Sequence, residues 1–175
     1  MLLARKGVRL ERIVSLAHAT PEGEWYDQRQ DEWVMLAAGR AALLIEGEEK
    51  AREMKAGDCL LLPAHCRPFI LPLDVPRPEA PGETLEVLLA RKGVRLERIV
   101  SLAHATPEGE WYDQRQDEWV MLAAGRAALL IEGEEKAREM KAGDCLLLPA
   151  HCRHRVTWTD PESPSVWLAL HIMSE

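Results

Sequence analysis

The stretch that decides the fold is Glu118–His154, EWVMLAAGRAALLIEGEEKAREMKAGDCLLLPAHCRH. Its apolar runs are four to six residues long and are cut by Gly125, Gly133 and Gly143, each beside a charged residue. Runs this short, rich in Val, Ile and Leu and bounded by glycine turns, read as β-strands. The predicted strands are Glu118–Ala123, Arg126–Glu132, Glu135–Met140 and Cys145–Leu148. Glu134–Lys141 has helical propensity, but its short length between two glycines favours a strand.

Outward from this stretch, Leu85–Arg91, Val94–Ala103, Arg155–Thr159 and Val166–His171 are further predicted strands. In the second of these, Val94, Leu96, Val100 and Leu102 alternate with Arg95, Glu97 and Ser101. About eight strands in roughly one hundred residues predict an antiparallel sandwich or jelly roll. Pro68–Gly82 holds five prolines and predicts an extended arm with few ladder bonds.

Upstream, the sequence meets itself. Leu2–Arg67 recurs without a change as Leu88–Arg153, a run of 66 identical residues. Repeats that evolve separately drift, so perfect identity points to a very recent duplication or a deliberate construction, and we favour construction. Pro68–Val87 leads only the second copy, and His154–Glu175 follows only the second copy. The expected organisation is a truncated duplicate lobe over 1–67, a Pro-rich arm over 68–87 and a barrel core with its tail over 88–175. The first lobe lacks tail strands, which leaves open sheet edges and an uncovered apolar face. That predicts a homo-oligomer, a homodimer in the simplest case, formed through the N-terminal lobe. The apolar start of the arm, Pro68–Leu71, is expected to add one strand to the fragment it follows.

The motif Gly143, five residues, Pro149-Ala150-His151-Cys152-Arg153-His154 resembles the second motif of the cupins, small jelly-roll barrels that often hold a metal. His151 stands where that family has its second glycine. Glu118 and Gly125 match the end of the first motif, while its His-x-His is replaced by Tyr112-Asp113-Gln114. The resemblance implies an all-β cupin jelly-roll barrel with a second, incomplete cupin-like lobe. It also implies a divalent metal (Fe, Mn, Ni or Zn) held by Gln114, Glu118 and His154, with Tyr112 or water completing the shell. One imidazole where three are usual makes such a site weak or vestigial. The plainer readings stand beside these. Glu118 is then a strand-end carboxylate paired with an arginine, and Gln114 a loop amide bonded to backbone.

Tyr112, His104, Trp119 and His171 are the remaining pocket candidates, with His171 read as a core histidine or a pocket acid–base group. Large aromatics equally serve to fill a small barrel. Cys145 reads as a packing residue, and Cys152, between His151 and Arg153, as a thiol whose thiolate is favoured. Catalytic residues are not assigned.

Composition narrows the classes further. A net charge of −7 with 47% hydrophobic residues disfavours a nucleic-acid or anionic-membrane partner. The charged start Met1–Lys6 has no apolar stretch of signal-peptide type, and four cysteines are too sparse for a disulfide framework, so a cytoplasmic location is expected. The functional expectation is a small-molecule-binding cupin with a weak divalent-metal site in the second barrel. If it is an enzyme, the family implies metal-assisted oxygenation, isomerisation or hydrolysis of a small acid. The alternative is an engineered or duplicated scaffold without catalysis, dimerising through its incomplete lobe.

Overall fold

The computed structural model describes residues 1–5, 7–64, 69–71 and 78–173, with 69–71 described by backbone alone. It is all-β, with no helix among the described residues. The chain divides into two units, Met1–Asp74 and Val75–Glu175.

The second unit holds eight strands: β8 (Gly82–Arg91), β9 (Val94–Leu102), β10 (Asp117–Ala124), β11 (Arg126–Ile131), β12 (Arg138–Lys141), β13 (Cys145–Leu148), β14 (His154–Thr159) and β15 (Ser165–Ile172). They form a five-stranded sheet in the order β13-β10-β15-β9-β8 and a three-stranded sheet β12-β11-β14. Every pairing is antiparallel, which gives the jelly-roll barrel expected. Val120, Leu122 and Trp167 of the large sheet pack with Ala127, Leu129, Met140 and Val156 of the small one in a single buried core.

The strand bounds follow the glycine punctuation closely, and β12 is a strand despite its helical composition. Two glycine positions of the motifs show why the turns fall where they do. Gly125 has φ +81°, and a Cβ there would lie 2.5 Å from the Pro164 carbonyl oxygen and 2.7 Å from the Ser165 Cα. Only glycine lets the β10–β11 turn pass beneath the start of β15. His151 has φ 63° at the third position of a turn closed by Cys152 N–H donating to Pro149 O at 2.9 Å. That is the left-handed position for which glycine is the usual residue. The replacement noted in the motif is therefore a strained one.

The alternation in β9 places its faces in an unexpected way. Ile99 packs on the inter-sheet core, so Arg95, Glu97 and Ser101, in step with it, face the barrel interior. The apolar set Leu96, Val100 and Leu102 lies on the opposite face and is also buried.

The first unit has β1 (Leu3–Arg5) paired with β2 (Val8–Leu10), β4 (Arg40–Leu43) paired with β5 (Arg52–Lys55), and a sheet of β3 (Glu32–Met35), β6 (Cys59–Leu62) and β7 (Phe69–Leu71) in the order β3-β6-β7. β7 comes from the segment read as an arm, and its backbone pairs Cys59 with Leu71 and Leu61 with Phe69. Of the rest of that arm, Pro68 and residues 72–77 lie outside the described residues. Glu11–Leu16 joins no strand.

Candidate functional site

Glu118, near the start of β10, organises the site. It is 6% exposed, and the Gln114 side-chain amide donates to its Oε2. His154, also 6% exposed, opens β14 and brings Nε2 to 3.6 Å from the same oxygen. The Gln114, Glu118 and His154 side chains thus converge in the second unit. No arginine pairs with Glu118 in these contacts, and Gln114 bonds a carboxylate rather than backbone.

Local backbone fixes each member. His151 N–H donates to Gln114 O at 2.7 Å, so the strained turn holds the loop that carries Gln114. Tyr112 and His154 exchange backbone hydrogen bonds of 2.8 and 3.1 Å, and their rings stack with centroids 5.6 Å apart. His154 Nδ1 lies 2.9 Å from Cys152 O. A carbonyl only accepts, so Nδ1 carries the hydrogen and the neutral ring presents the Nε2 lone pair toward the carboxylate. Two acceptors facing each other across 3.6 Å suit a cation between them, or a proton on the imidazole.

One imidazole, one carboxylate and one amide thus come together, fewer anionic or imidazole donors than the three or four a first-row metal usually takes. Among the described residues no three His, Cys, Asp or Glu side chains are grouped to hold a metal. Tyr112 adds little as a ligand. Burial first, then the negative charge of Glu83, pushes its ionisation above the ordinary tyrosine value, which keeps the phenol protonated. Its hydroxyl donates to Glu83 at 3.5 Å.

The other candidates are spread around the barrel. His171 on β15 is the cross-strand partner of Glu118, so both side chains lie on the interior face. Its Nε2 is 2.9 Å from Glu97 Oε2, and both residues are buried. It is a core histidine, but its partner is a carboxylate. Arg95 Nε lies 3.0 Å from the other Glu97 oxygen. His104 is tied through its backbone to Thr159 and places Nε2 3.8 Å from Glu83. Trp119 alternates to the face of β10 opposite Glu118 and does not join the cluster. Trp167 sits in the core, Trp111 lies beneath Arg153 and Arg155, and Trp158 is 41% exposed.

Two cysteine readings are corrected. Cys145 is exposed: Leu146 and Leu148 turn toward the core, so Cys145 alternates to the outer face of β13. The Cys152 thiol is pushed up by burial, which outweighs the lowering effect of Arg138, so the thiolate is disfavoured. Sequence reasoning missed Glu97 and Glu83. The signal for Glu97 was present in the β9 alternation, whereas Glu83 fell in a segment read as an arm.

No helix among the described residues is long and apolar enough to cross a membrane. The cupin domain family model matches residues 98–171. A crystal structure named "putative mannose-6-phosphate isomerase", from Ralstonia eutropha JMP134, is 52% identical, with a TM-score of 0.55, covering 58% of this chain and 93% of that one. A cupin superfamily protein from Desulfitobacterium hafniense is 14% identical, with a TM-score of 0.47, covering 58% of this chain and 85% of its own. No curated protein matches. The matched motif residues, the jelly-roll barrel and the Ralstonia relative agree: the chain belongs to the cupin family.

Proposed function

We propose that this chain is a small-molecule-binding cupin whose second unit holds a divalent metal weakly through His154 and Glu118, with Gln114 beside them. The observation that carries this reading is His154 Nε2 standing 3.6 Å from the buried Glu118 carboxylate, with Nδ1 tied to the Cys152 carbonyl. A bound metal would act as a Lewis acid on a substrate oxygen. The chain's own part is to orient and to hold protons. Gln114 fixes the Glu118 carboxylate, the Cys152 carbonyl fixes the His154 tautomer, and Tyr112 keeps a phenolic proton available as a hydrogen-bond donor. The name of the Ralstonia relative points to isomerisation of a sugar phosphate as the first reaction class to assay.

The test is a titration of chelator-free protein with Mn²⁺, Ni²⁺ and Zn²⁺. The expected result is one weak site per chain, lost in His154→Ala. Two equal tight sites per chain, or binding unchanged in His154→Ala, would contradict it. The second reading, a duplicated scaffold without catalysis, is favoured by the perfect repeat and the single imidazole. It predicts no binding of any of the three ions.

A further inference from the structure

The strands that follow the second copy have partners only inside the repeated sequence. β15 pairs with Val94–Ser101 and with Asp117–Ala124, and β14 pairs with Ala127–Ile131. The side-chain contacts do the same. Trp167 donates to Ser101, His171 meets Glu97, and Ser165 Oγ donates to Arg126 O. All of these partners lie within Leu88–Arg153 and have identical counterparts at Val8–Ser15, Asp31–Ala38 and Arg40–Ile45.

Among the described residues, no strand equivalent to β14 or β15 lies along β3 or β4. β3 and β4 are edge strands. Ile13, Val14 and Leu16 are 79%, 87% and 94% exposed, whereas Val100 and Leu102, the counterparts of Val14 and Leu16, are 6% and 4% exposed. The segment that receives β15 in the second unit stands exposed in the first.

We infer that the first unit is an acceptor for the C-terminal strands His154–Ile172 of a second copy of this chain. The register is already specified: Val166 opposite Val14, Trp167 opposite Ile13 and Ala169 opposite Glu11. The exchange keeps the ladders it breaks, since each one lost in a second unit is rebuilt in a first unit with identical residues. Reciprocal donation closes a dimer, and one-way donation extends a chain. The hinge is the Pro149–Cys152 turn, where His151 already holds a left-handed conformation. Donation also carries the partner's His154 to Gln28 and Glu32, which already make the same amide–carboxylate bond. That last consequence rests on the metal reading, and the strand exchange does not.

The test is the solution mass of the full chain by light scattering over a concentration series, alone and with a synthetic peptide of residues 163–173. The expected mass rises from one chain, 19.7 kDa, to two or more. It stays at one chain in Val14→Lys, a change at an exposed position, and in the presence of excess peptide. Peptide binding to the wild-type chain is expected to disappear in Val14→Lys. A wild-type mass of one chain throughout overturns the inference. So do oligomers that survive both the Val14→Lys change and the peptide, which would mean that first units pair with one another.

Discussion

Glu11–Leu16 and Glu97–Leu102 are the same six residues, ERIVSL, in two settings. In the second unit they form the end of β9, held between β8 and β15. In the first unit they form no strand. Local propensity is identical by construction, so the difference is tertiary. A strand of this composition holds its extended form only when neighbours on both sides take its hydrogen bonds and cover its side chains. β6 and β13 show the reverse contrast. Cys59 on β6 is fully buried where β7 adds an outer strand, while Cys145 on the edge strand β13 is exposed.

The largest expected effect that sharpens this comparison is at paired glycines. A Cβ on Gly125 meets backbone at 2.5 and 2.7 Å, whereas one on Gly39 meets nothing within 4 Å, and both residues have positive φ. Gly125→Ala should destabilise the second unit by about 3 kcal/mol or more, since backbone must move, and Gly39→Ala by about 1 kcal/mol, from φ alone. Thermal or denaturant unfolding of the two variants checks this, and equal losses would break the comparison. Next come the paired leucines. Leu102→Ala should cost ~2–5 kcal/mol as a core truncation, and Leu16→Ala less than ~0.5 kcal/mol as a surface change.

Smaller effects probe the site. His151→Gly relieves a left-handed residue and should stabilise the second unit by about 0.5–1 kcal/mol, after the extra unfolded-state entropy of glycine. A loss of stability would mean that the exposed His151–Asp113 pair, 3.2 Å apart, outweighs the strain. Smallest is a pH effect. Tyr112 ionises above the ordinary tyrosine value, chiefly through burial. The native state therefore holds the proton more tightly, and this contribution is intact below the unfolded value of about 10. It fades as pH rises through the folded value. Melting curves above about pH 10 should show a fall that Tyr112→Phe lessens.

Much of the fold was legible in the sequence because glycine turns bracket each apolar run. The bounds of β13 were predicted to the residue, and those of β9, β10, β11, β14 and β15 within one. The Gln114–Glu118–His154 grouping was legible through motif spacing. The interior polar pair Glu97–His171 was less so. Alternation separates two faces of a strand but does not say which one the other sheet covers, and here both are covered. Nor does propensity foretell that one copy of a sequence makes a strand and its duplicate does not.

That contrast is tested most directly by amide hydrogen exchange in dilute solution. The copies are distinguished by fragments that run out to their different flanks, from Met1 for the first and from Val87 for the second. Rapid exchange is expected over Glu11–Leu16 and strong protection over Glu97–Leu102. Equal protection of the two identical segments, whether high or low, would contradict that expectation.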